Sequence, residues 1–151
     1  MGEGMKVWEG VRLYENTVCR SPEDLFLMIQ EALRIGSGAL LRVFSKDRGS
    51  YYVHALFDDE KLLLIEVIFM RTGGRIRGEG ALRPFLGMME RPFIADVYSL
   101  GDGEIKDMIL TNLDLYDVTP HVFLFELFTP KLWRSPIPPA IVESENLRSL
   151  E

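Results

Sequence analysis

Cysteine, histidine, clustered acids and clustered arginines are the residues of this chain whose chemistry could be put to use. The one cysteine, Cys19, lies two residues ahead of Ser21, a residue suited to cap a helix. A helix N-terminus and the adjacent Arg20 would both favour a thiolate there, so a thiol-dependent enzyme is conceivable if a histidine reaches Cys19 in space. Neither histidine carries a local cue that brings it there. His54 falls between Val53 and Ala55 inside one apolar run, and His121 begins another. Two histidines so far apart in the chain form no metal-binding signature, and both read as structural or surface residues. Asp58-Asp59-Glu60 lacks the spaced oxygen ligands of a calcium loop and reads as a solvated turn. Gly101-Asp102-Gly103 falls between a strand and a helix, where a phosphate-binding loop would lie. Lys106 stands where a dinucleotide fingerprint needs its next glycine, and Asp102 would repel a phosphate. That segment reads as a helix cap, and no cofactor is expected.

The basic segment after Met70 is the more informative polar feature. Arg71, Arg75, Arg77, Arg83 and Arg91 stand against only Glu79 and Glu90. A local cationic excess in an acidic protein can engage an anion or an acidic partner. Arg71, Arg75 and Arg77 are therefore the candidate ligand-binding residues of a small-molecule sensor. Pairing with acids on the first or third helix is the simpler fate for the same arginines. Further on, Trp133 and the run Pro136-Ile137-Pro138-Pro139 suit a proline-recognising partner, a second copy of the chain, or packing against the chain's own domain.

The elements that must position these residues centre on Leu40 to Met70. Gly38–Phe44, Tyr51–Phe57 and Lys61–Met70 are apolar runs separated by short polar joints, the pattern of antiparallel strands joined by hairpins. Leu62–Met70 is apolar in both alternating sets, interrupted only by Glu66, and so predicts a central strand shielded on both faces. Met5–Val18 reads as an opening edge strand. Ser21, Pro22, Glu23 and Asp24 open the clearest helix, and Leu25, Met28, Ile29, Ala32 and Leu33 form its buried stripe. Gly36-Ser37-Gly38 ends it. A second helix is expected from about Gly80 to Met89, a strand over Phe93–Leu100, a third helix over Glu104–Tyr116 with Asp102 as its cap, and a last strand over His121–Phe128. The prolines from Pro130 onward predict an extended tail.

With 151 residues, 17 basic and 23 acidic side chains and a net charge of -6, the chain suits one ordinary globular domain. The acidity argues against nucleic acid as a general partner. A single cysteine excludes an internal disulfide and fits a cytoplasmic protein. No signal peptide or membrane span is read from the sequence.

Joined in order, several segments carry a resemblance. A helix ends in Gly36-Ser37-Gly38, and hairpin strands follow with an acidic turn at Asp58-Asp59. Gly78-Glu79-Gly80-Ala81-Leu82 then opens a helix, followed by Phe93-Ile94-Ala95-Asp96-Val97-Tyr98-Ser99-Leu100 and a helix carrying Asn112. Over its first three quarters the chain resembles an uncharacterised archaeal protein family, itself similar to the N-terminal domain of PatA-type response regulators. The resemblance implies an α+β regulatory or protein-interaction module without a known catalytic site, so it carries over no active-site residues. The expectation is one α+β domain over residues 1–128, with a mainly antiparallel sheet of about five or six strands packed by three helices, and a proline-rich C-terminal arm over 129–151. Its expected role is non-enzymatic binding of a protein partner or of a second copy as a homodimer. Trp133 and Ile137 are the candidate interaction residues.

Overall fold

The computed structural model describes residues 11–46 and 49–129. Strand β1 (Val11–Cys19) leads into helix α1 (Pro22–Ile35), whose start follows from its cap. The Ser21 hydroxyl accepts the Asp24 amide at 3.3 Å, and the Asp24 carboxylate accepts the Arg20 amide at 2.8 Å. The first bond satisfies a donor that the first turn would leave orphaned, and the second ties the residue before the cap back onto that turn. Gly36 and Gly38 do more than stop the helix. A Cβ on Gly36 would lie 2.7 Å from the Leu100 carbonyl oxygen, and one on Gly38 2.7 Å from that of Phe57. The turn is pressed onto the sheet, and Ser37 donates its amide to Leu100 at 2.8 Å.

The chain continues through β2 (Gly38–Ser45), β3 (Tyr51–Asp58), β4 (Leu62–Phe69), the short β5 (Arg75–Arg77), α2 (Glu79–Met88) and β6 (Phe93–Leu100). Helices α3 (Asp102–Thr111), α4 (Leu113–Val118) and α5 (Leu124–Leu127) complete it. The fold is α+β, with a six-stranded antiparallel sheet in the order β1-β6-β2-β3-β4-β5. Strands β2 to β5 form a meander. The chain then returns through α2 to insert β6 between β1 and β2.

Alternation divides the strand residues between two cores. On one face Leu41, Val43, Val53, Ala55, Ile65, Val67 and Val97 pack with Leu25 and Ile29 of α1, Phe85 and Met88 of α2, and Leu124 and Leu127 of α5. On the other face Leu40, Leu56, Leu64 and Tyr98 pack with Ile105 and Met108 of α3 and Leu115 of α4. Each large apolar side chain taken out of water contributes about 1.5–3 kcal/mol.

Several expectations need correction. Strand β4 lies second from the sheet edge. It is buried from Leu62 to Val67, but Ile68 and Phe69 are half-buried and Met70 is exposed, because its cover stops short of that end. The third helix breaks at Asn112, whose backbone leaves the helical region (φ -123, ψ 44) and whose side chain donates to the Met108 carbonyl at 2.8 Å. A local side-chain bond of this kind competes with helix continuation. Gly101, not Asp102, is the cap of α3, and its amide donates to the Glu104 carboxylate at 2.7 Å. His121–Phe128 is no strand. Phe123 makes a single bridge to Lys61, and α5 follows, because Leu124 and Leu127 bury together only at helical spacing. Residues 5–10 of the expected first strand, and the arm from residue 130, lie outside the described residues.

A half-open sheet face as the candidate binding site

The candidate site is assembled by strand register. Residues opposite one another on neighbouring strands share a face, so each register position marks a row across the sheet. One row runs Asp96 (β6), Arg42 (β2), His54 (β3), Glu66 (β4), Arg77 (β5), with every adjacent pair directly opposed. The row on one side of it, Tyr98, Leu40, Leu56 and Leu64, is sealed beneath α3 and α4. The row on the other side, Ile94, Phe44, Tyr52, Ile68 and Arg75, is half-buried apart from Ile94, which is exposed at 37%. The polar row is the border where the helical cover ends. Charges placed further under that cover would cost more than their pairing returns.

The members of the row differ in how they are satisfied. Glu66 is buried and its carboxylate lies 3.3 Å from the Arg77 Nε. Asp96 accepts the Asn16 backbone amide at 2.6 Å and so holds the irregular stretch of β1, where Asn16 adopts φ 49. Arg42, half-buried between Asp96 and His54, makes no hydrogen bond or ion pair among the described residues. His54 has a buried Nδ1 without a hydrogen-bond partner among the described residues. Burial, with a smaller contribution from the Arg42 charge, pushes the His54 pKa down to about 4. His54 is therefore neutral at physiological pH.

Beside this row the Phe44 and Tyr52 rings pair at 5.2 Å, and Tyr52 lies 6.4 Å from the His54 ring. A cleft of about 400 Å³ opens here, lined by Arg42, Asp96, Phe44, Tyr52 and Ile94, with Arg12, Glu15 and Asn16 of β1 along its rim. Arg12 is engaged, with Glu15 at 3.6 Å and the Tyr98 ring beneath its guanidinium at 5.7 Å. Arg42 is the cation the cleft presents. Flanked by an aromatic pair, it suits a carboxylate carried on a partly apolar partner.

The residues singled out by sequence are dispersed. Arg71 lies exposed in the turn after β4, Arg75 and Arg77 sit on β5, and Arg77 is committed to Glu66. Cys19 and His54 lie on opposite faces of the sheet. The Cys19 thiol is buried and donates to the Met28 sulfur at 3.7 Å. Burial first, then the Asp24 charge, pushes its pKa up to about 11, so it is held as the protonated thiol. His121 packs against Tyr116, with ring centres 4.3 Å apart. Asp58 turns the β3–β4 hairpin, its carboxylate accepting the Glu60 and Lys61 amides at 2.8 Å each. Trp133 and Ile137 lie outside the described residues. Among the described residues no three His, Cys, Asp or Glu side chains cluster as a metal would require, and no helix is long and apolar enough to cross a membrane. Sequence reasoning passed over Arg42, Asp96 and Tyr52. The available signal was that Arg42, His54 and Glu66 each interrupt an apolar strand in the same alternating phase.

No curated protein and no solved structure matches the chain. A family model described as an uncharacterized protein conserved in archaea (DUF2226) matches residues 5–112, a span that takes in all six strands and the whole polar row, and the chain belongs to that family.

Proposed function

We propose that this domain is a non-enzymatic, regulatory interaction module of the cytoplasm that binds a protein partner through the open half of its sheet. Arg42 carries the reading: a half-buried guanidinium that, among the described residues, makes no ion pair even with Asp96 on the neighbouring strand, next to Phe44 and Tyr52. A carboxylate from a partner would complete its hydrogen bonding, while the ring pair supplies apolar contact area. The outer edge of β1, which among the described strands pairs only with β6, offers a second contact through which a partner strand or a second copy could extend the sheet.

Panning a displayed peptide library on the full chain tests this. Acidic peptides with a neighbouring aromatic or aliphatic residue should enrich on the wild type and lose about tenfold or more in affinity on Arg42→Ala, equivalent to roughly 1.4 kcal/mol. Selected peptides that bind Arg42→Ala and Tyr52→Ala as well as the wild type would place recognition elsewhere. Light scattering on the same proteins reports whether a second copy competes for this face.

A further inference from the structure

A groove of about 730 Å³ lies on the other side of the molecule, between α1 and α5. Phe26, Phe123 and Phe125 give it an apolar lining, and Phe123 and Phe125 remain 53% and 72% exposed. Around these rings stand three acids, Asp59, Glu60 and Glu126. The base at the rim, Arg34, is engaged by Glu31 one turn earlier on α1. An apolar centre inside an acidic rim fits an aromatic side chain bracketed by cations.

We propose that this groove seats the chain's own segment Lys131-Leu132-Trp133-Arg134. The proposal is independent of the reading of the sheet face. The described chain ends at the groove itself: the Thr129 hydroxyl donates to the carbonyl of the lining residue Glu126 at 3.2 Å, and the Phe128 ring packs 5.1 Å from Phe26. Trp133 lies four steps along the chain from Thr129, a reach of up to about 14 Å. Lys131 and Arg134 bracket Leu132 and Trp133, opposite in sign to the three acids. Tethering makes the encounter intramolecular, so modest contacts suffice to hold the segment. Bound there, Trp133 covers rings that α5 leaves to water.

The sequence has two tryptophans, Trp8 and Trp133, so Trp8→Phe in the full chain leaves Trp133 as the sole reporter. Its emission should be blue-shifted relative to the same chain in denaturant and protected from acrylamide. Adding Phe125→Glu, at a solvent-facing position, should move the emission to the red and raise quenching while the far-ultraviolet dichroism stays native. Asp59→Lys with Glu60→Lys should do the same, and Lys131→Glu with Arg134→Glu should restore the blue shift in that background. A solvent-like emission in the native chain, or one unmoved by Phe125→Glu, overturns the proposal. A blue shift that disappears on dilution overturns it too, since the occupant is then a second copy.

Discussion

His54 sits beside the Arg42 guanidinium with its Nδ1 out of water, and both conditions disfavour the imidazolium. The folded-state pKa of about 4 lies below the ordinary histidine value of 6.5, so the unfolded chain takes up a proton first as pH falls. The sign follows from linkage. Stability is full above pH 6.5, declines between 6.5 and 4, and has lost about 3 kcal/mol from this group once pH is below 4. Urea unfolding at pH 7 and pH 5 should show the wild type losing stability over that interval by more than His54→Gln does. Arg42→Ala removes the lesser of the two causes, so an NMR titration of His54 in that variant should give a higher pKa than in the wild type. An unchanged midpoint would mean that the two side chains do not sense each other.

At the scale of elements, glycines report how tightly neighbours are pressed together. Gly78 precedes α2 with φ 69, and a Cβ there would stand 2.2 Å from the Val118 carbonyl oxygen at the end of α4. Gly78→Ala combines left-handed backbone strain with a collision against main chain, and should cost about 2 kcal/mol or more. Gly87, inside the same helix, faces open space, and alanine there should stabilise by roughly 0.5–1 kcal/mol through helix propensity. Thermal melts of the two variants should therefore move in opposite directions. The break at Asn112 has a related consequence. It lets α4 turn away from the line of α3 so that Leu115 joins Ile105 and Met108 over the sheet.

At the scale of the molecule, the order β1-β6-β2-β3-β4-β5 builds the sheet from local hairpins and one insertion. The β2–β3 and β3–β4 pairings join neighbours in the chain, whereas β1 meets β6 with Cys19 opposite Phe93. Closing that long loop costs entropy before any burial offsets it, so folding should be slow, in the millisecond-to-second range. Native-state hydrogen exchange should find the slowest amides in β2 and β3, which are hydrogen-bonded on both edges and buried on the helix-covered face, with β5 and the outer edge of β1 exchanging first. Amides of β1 as protected as those of β2 would mean that its outer edge is occupied in solution.

The cap and stripe of α1, the hairpins of β2 to β4 and the β-character of Phe93–Leu100 follow from periodicity and turn chemistry within a few residues, whereas the cap of α3 and the break at Asn112 do not. Glu66 is visible as the lone charge in an apolar run, yet the sequence points Arg77 to an anion or to acids on the first or third helix, not to a neighbouring strand. The insertion of β6, the turn of His121–Phe128 into a bridge and a short helix, and the alignment of Asp96, Arg42, His54, Glu66 and Arg77 were decided only in three dimensions. Side-chain alternation follows from the backbone of one strand and is therefore written in its own residues. Which strands lie side by side, and in what register, follows from the competition of all apolar faces for burial, and no single segment contains that outcome.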